Sequence, residues 1–166
     1  MTLSRKSCPV PLEQQPLEEY SSLILSQFFS LPAQQARVYF LFLLSLSTIF
    51  TLMGALFFSS NPSLFSLDLP FLFNILIISD FIIVLLVLRL YFSWSYVSKR
   101  LLSAIVFYEE SGWYDGQIWV KTTDVLIQDR LIAINISIPI INRIKTSIFV
   151  FCIKMLIEFI LFSFVS

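Results

Sequence analysis

The sequence predicts a mainly α-helical integral membrane protein with two or three transmembrane helices, an N-terminal interfacial helix and a small polar module with a possible β-hairpin. Three observations lead there. Of the 166 residues, 57% are hydrophobic and only 13% charged, whereas a soluble domain carries about a quarter charged. A chain of this length cannot hide so much apolar surface in its own core. Two runs near 20 residues, Val38–Phe58 and Phe71–Phe92, have the length that crosses a hydrocarbon core. Finally, the Trp residues all fall in one polar stretch between residues 93 and 147.

Four segments follow from this pattern: an N-terminal arm and interfacial helix over 1–37, a helical hairpin over 38–92, a Trp-rich module over 93–147, and a C-terminal apolar helix over 148–166. Residues 1–15 read as an extended arm punctuated by Pro9 and Pro11. Pro16 suits a first helical position, and Leu17, Tyr20, Leu23, Ile24, Phe28 and Leu31 recur at helical spacing until Pro32. This helix is too short to span, so it lies either on the membrane surface or against the rest of the protein.

Val38–Phe58 is uncharged, and the turn signal Asn61-Pro62 follows it. Phe71–Phe92 has spanning length but carries Asn74, Asp80 and Arg89. In the module, Ser111-Gly112-Trp113-Tyr114-Asp115-Gly116 has turn chemistry flanked by Ile105, Phe107, Ile118 and Val120, which suits a hairpin or an ordered loop. Thr123 is placed to cap a further helix through Leu131, and Pro139 interrupts the apolar pattern. Ile148–Val165 forms a third span or an interfacial helix, with Lys154 and Glu158 inside it. Lys and Arg gather in the N-terminal arm and the module, and none lies in Ser59–Pro70, so both basic segments belong on one side of the membrane.

A carboxylate near mid-bilayer costs at least ~2.5 kcal/mol on insertion scales, so Asp80 needs a partner or a proton. Counted from the basic side, Asp80, Lys154 and Glu158 all lie about 13–19 Å deep. The expectation is that Lys154 bridges Asp80 and Glu158. The alternative is an i,i+4 pair of Lys154 with Glu158 beside a protonated Asp80. Such a cluster serves either as a clamp that sets helix register or as part of an ion path, and a single buried carboxylate is a thin path.

The absence of His removes the commonest general base and metal ligand. There is no phosphate-binding loop, no Ser or Cys triad and no zinc spacing, and the zero net charge gives no footprint for nucleic acid. Glu109, Glu110 and Asp115 can be imagined around a hard cation, but adjacent residues on a strand face apart and EF-hand spacing is missing. The expectation is a non-enzymatic protein with no cofactor. Tyr108, Glu109, Glu110, Gly112, Trp113, Tyr114, Asp115, Gly116, Trp119, Asp129 and Arg130 form its candidate interaction motif. The partners expected are the lipid bilayer and another membrane protein.

Three strings carry a resemblance: Cys8-Pro9-Val10-Pro11-Leu12-Glu13-Gln14-Gln15-Pro16, Leu88-Arg89-Leu90-Tyr91, and Tyr108 through Gln117 with Asp129-Arg130-Leu131. The chain resembles the plastid family called hypothetical chloroplast open reading frame thirty-six, whose relatives are called conserved in the green lineage and diatoms. The resemblance implies a plastid membrane, with the thylakoid and a stromal module as the expected setting. It implies no catalytic residues. No apolar signal-like region follows Arg5 and Lys6, so the chain is expected to be made in the compartment where it works.

Overall fold

The computed structural model describes residues 8–59, 69–109 and 116–165. The chain divides into two compact units, Met1–Ala33 with Phe92–Asn142 and Gln34–Tyr91 with Arg143–Ser166. The Asn61-Pro62 turn signal and residues 110–115 lie outside the described residues.

In the first unit, a 3-10 turn at Leu12–Gln14 ends the arm and leads into α1, Pro16–Leu25, with proline at its start and Glu18 and Glu19 in its first turn. Both acids favour that end of the helix dipole. The periodicity reaching to Leu31 overstates this helix, because Ser26 turns extended and ends it. The Ser21 and Ser22 hydroxyls donate to backbone carbonyls of the preceding turn, and such local bonds compete with helical propagation. Tyr20 and Leu23 pack against Val97, Leu101 and Ala133, so α1 docks on the unit's own core. Leu25 remains 83% exposed.

Helix α3, Leu69–Leu102, runs ten residues past the expected end of the second span and contributes its last turns to this unit. Strands β1, Ile105–Tyr108, and β2, Gln117–Val120, form an antiparallel hairpin with Ile105 opposite Val120 and Phe107 opposite Ile118. Alternation sends Val106 and Tyr108 inward, where they pack with Val10, Cys8 and Trp119. Helix α4, Thr123–Ile132, begins one residue earlier than the cap reading implies: Thr122 holds the N-cap position and makes no side-chain cap bond.

Pro139 does not break the helix that follows. A π turn at Ala133–Ser137 connects α4 to α5, Ile138–Val165, with the Ile138 amide donating to the Ala133 carbonyl. A proline removes an amide donor and crowds the carbonyl four residues earlier, and a widened turn is a known way to absorb this. The third apolar helix therefore starts at Ile138, ten residues before the run beginning at Ile148.

The second unit holds α2, Ala36–Ser59, with most of α3 and α5. Each helix buries a narrow stripe at helical spacing: Tyr39, Leu43 and Ser47 on α2; Ser79, Asp80, Ile83, Val87 and Leu90 on α3; Ile144, Ser147, Phe151 and Glu158 on α5. Their other faces expose large apolar side chains such as Leu52, Leu56, Phe81, Leu85, Phe159 and Ile160. Among the described residues, three helices are long and apolar enough to cross a membrane. At Gly54, α2 comes so close to α3 that a Cβ would lie 2.8 Å from Ile75 Cγ2.

Candidate functional site

The chemistry of the second unit is concentrated on its buried stripes. Asp80 is fully buried, while Asn74 and Arg89 on the same helix are exposed. Lys154 falls three residues after Phe151 and four before Glu158, which keeps it on the buried stripe of α5. Its Nζ lies 2.9 Å from both Asp80 carboxylate oxygens and 3.6 Å from Glu158 Oε1. The three residues named from sequence thus meet, with the lysine between the carboxylates. Ser47 joins them unannounced, its hydroxyl donating to Asp80 Oδ1 at 3.2 Å. Its signal was the spacing Tyr39, Leu43, Ser47, which puts a small hydroxyl on the inward face of an otherwise apolar helix. Among the described residues, no group of His, Cys, Asp and Glu is arranged to hold a metal.

In the first unit, the Glu109 backbone is bound at both ends by the Gln14 side chain. The Gln14 amide donates to the Glu109 carbonyl, and the Glu109 N–H donates to Gln14 Oε1, both at 2.9 Å. A side-chain amide thereby stands in for a neighbouring strand. Tyr108 is buried, and its hydroxyl donates to Gln117 Oε1 at 2.6 Å. Gly116 is open: an added Cβ would meet nothing within 4 Å. Trp119 is half-buried against the hairpin core. Trp94, although it falls in the polar stretch, is fully buried; it donates to the Phe29 carbonyl at 2.9 Å and meets the Tyr20 ring edge-on. A satisfied indole N–H removes the usual reason for a tryptophan to stay at a wet boundary. Glu110, Gly112, Trp113, Tyr114 and Asp115 lie outside the described residues.

Two ionic centres hold this unit together, and sequence reasoning singled out only one of their four members. Arg100 pairs with Glu19, donates to the Tyr96 hydroxyl at 3.1 Å and reaches the Gln14 carbonyl at 2.8 Å. Its guanidinium also lies 5.6 Å from the centre of the Tyr96 ring. Burial pushes the Glu19 carboxyl above its ordinary value, and Arg100 pulls it partly back. With Phe107, Tyr108, Glu109 and Gly116 these groups line a cleft of about 330 Å³. The second centre is Lys121, whose ammonium pairs with Asp129 at 2.6 Å and donates to the Arg100 and Leu101 carbonyls at the end of α3. Asp129 thus has a buried partner, whereas its neighbour Arg130 is exposed.

The hairpin's outer face has a different character. Ile105, Phe107, Ile118 and Val120 are all exposed, and register places them as two cross-strand pairs. They form one apolar patch on the strands that flank residues 110–115.

Fold and sites define a protein with, among the described residues, three long apolar helices and a compact α/β module that includes a two-stranded hairpin. The chain belongs to the CGLD27-like family, Conserved in the green lineage and diatoms 27, which matches residues 8–150. It is 46% identical to the ycf36 protein of Cyanophora paradoxa over 141 residues, 85% of this chain and 89% of that one. It is also 46% identical to ycf36 of Porphyra purpurea over 154 residues, 89% of this chain and 90% of that one. The chloroplastic protein Conserved in the green lineage and diatoms 27 of Arabidopsis thaliana is 39% identical over 160 residues, 95% of this chain and 48% of the plant protein. The family is a plastid family. No solved structure matches the chain.

Proposed function

We propose that this chain is a non-enzymatic plastid membrane protein that aids assembly or maintenance of a photosynthetic complex, and that its hairpin is the docking element. The observation that carries this reading is the outer hairpin face. Phe107 is 69% exposed, Ile118 62% and Val120 64%, on strands whose opposite face is packed. Paired strands with one buried face normally present polar groups on the other, so four apolar residues there have the character of an interface core. The three apolar helices supply the membrane anchor. Membership of a plastid family supports the thylakoid reading, and the Lys and Arg of the N-terminal arm and of residues 93–145 favour the stromal side for this unit. The triad of Asp80, Lys154 and Glu158 serves as the clamp that fixes helix register.

Affinity purification of the tagged full chain in mild detergent tests the proposal. Subunits of a photosynthetic complex should be recovered with the wild type and lost with Phe107→Ser/Ile118→Ser. A wild-type protein recovered alone would contradict it.

A further inference from the structure

Glu158 has one feature the clamp does not use. Two acids, Asp80 on α3 and Glu158 on α5, face a single base, Lys154, and α2 faces them with the neutral Ser47 hydroxyl. The geometry is uneven. Asp80 holds the ammonium at 2.9 Å through both oxygens and accepts the Ser47 hydroxyl as well. Glu158 Oε1 stands 3.6 Å from that ammonium, longer than a hydrogen bond, and its buried Oε2 has no hydrogen-bond partner among the described residues. Glu158 is nevertheless only 7% exposed, on a helix whose neighbouring Ile157 and Phe159 are apolar and outward. Asp80 Oδ1 thus accepts two hydrogen bonds, and its Oδ2, which has no hydrogen bond of its own, still has the ammonium at 2.9 Å, whereas neither Glu158 oxygen accepts a hydrogen bond among the described residues. A carboxylate without donors in apolar surroundings is strongly disfavoured, and such a group takes up a proton instead. With one proton bound, the cluster carries no net charge.

We infer that Glu158 is a proton-binding site within the helical unit, and that Lys154 responds to its occupancy. While the proton is on Glu158, Lys154 belongs to Asp80. On release, the Glu158 O–H bond breaks, the proton passes to water or hydroxide, and the new carboxylate draws Lys154 into a shared position. The side chain has room for this, being 41% exposed. The inference is independent of the assembly role: it concerns what the cluster binds, whatever the hairpin docks.

Infrared difference spectroscopy of the full-length protein in lipid nanodiscs, titrated with base, reads this directly. A Glu19→Gln background removes the carboxyl of the first unit that burial pushes above its ordinary value. The wild-type cluster should show the carbonyl stretch of a protonated carboxylic acid at neutral pH and lose it as pH rises. Glu158→Gln, isosteric with the protonated acid, should lack the band. Asp80→Asn should also lose it at neutral pH, because Lys154 is then free to pair with Glu158 and the second acid no longer needs its proton. No such band in the wild-type cluster would overturn the inference. So would a band that survives Glu158→Gln, or one that Asp80→Asn leaves unchanged.

Discussion

At the residue scale, Lys121 ties α4 to the end of α3 within the first unit. Its ammonium has three hydrogen atoms to donate and finds three acceptors: Asp129, Arg100 O and Leu101 O. Two of these are carbonyls at the end of α3, which have no helical partner of their own. Breaking a buried pair by removing one partner costs about 3–5 kcal/mol, because the other charge is left unpaired. Lys121→Met and Asp129→Leu should each lower unfolding stability in detergent by about that amount. The double variant should recover part of the loss, and strict additivity would show that the two charges are not coupled. Glu19 gives the opposite pH sense from a typical paired acid. Burial holds its folded value above the ordinary 4.5. Its contribution to stability is then fullest below the unfolded value and is lost as pH rises through the folded one. Glu19→Gln should remove that slope from a thermal-unfolding series across mildly acidic pH. Neither centre was legible beyond Asp129, because nothing in sequence reports that Arg100, near the end of a long apolar helix, meets Glu19, or that Lys121 folds under Leu101. Ionic partners far apart in sequence are set by the fold, whereas the i,i+4 pair Lys154–Glu158 is set by the helix itself.

At the element scale, period and charge told most of the story. The uncharged run from Val38, the apolar run from Phe71 and the turn chemistry around Gly112 and Gly116 marked the first two long helices and the hairpin. The misreadings were all at boundaries. Serine back-bonding shortened α1, and the π turn let α5 begin before Pro139. Each depends on a local competition that hydropathy does not record. The close approach at Gly54 likewise lay beyond the reach of sequence. Ile75 is β-branched and stiff at χ1, so it cannot easily yield to a new side chain. Gly54→Leu should push α2 from α3 and lower resistance to denaturing detergent, by about 1–3 kcal/mol as for other overpacked contacts. An unchanged unfolding profile would show that the close packing of α2 on α3 is not needed.

For the whole molecule, the two native cysteines report membrane embedding. Cys152 is exposed on the chain's own surface, on the apolar face of α5, and Cys8 lies partly buried beside the hairpin core. If lipid covers α5, a membrane-impermeant maleimide should leave Cys152 unmodified in intact membranes and label it only after denaturation. Cys8 should label slowly in membranes opened on the stromal side. Rapid labelling of Cys152 in intact membranes would mean that α5 does not face lipid. The proposed role rests on the hairpin's outer face, whose apolar side chains are exposed to meet a partner. That claim is tested most directly by placing a photo-crosslinking amino acid at position 107 and irradiating intact plastid membranes. The expected result is a specific adduct with a subunit of a photosynthetic complex. Adducts with lipid alone, or none, would contradict it.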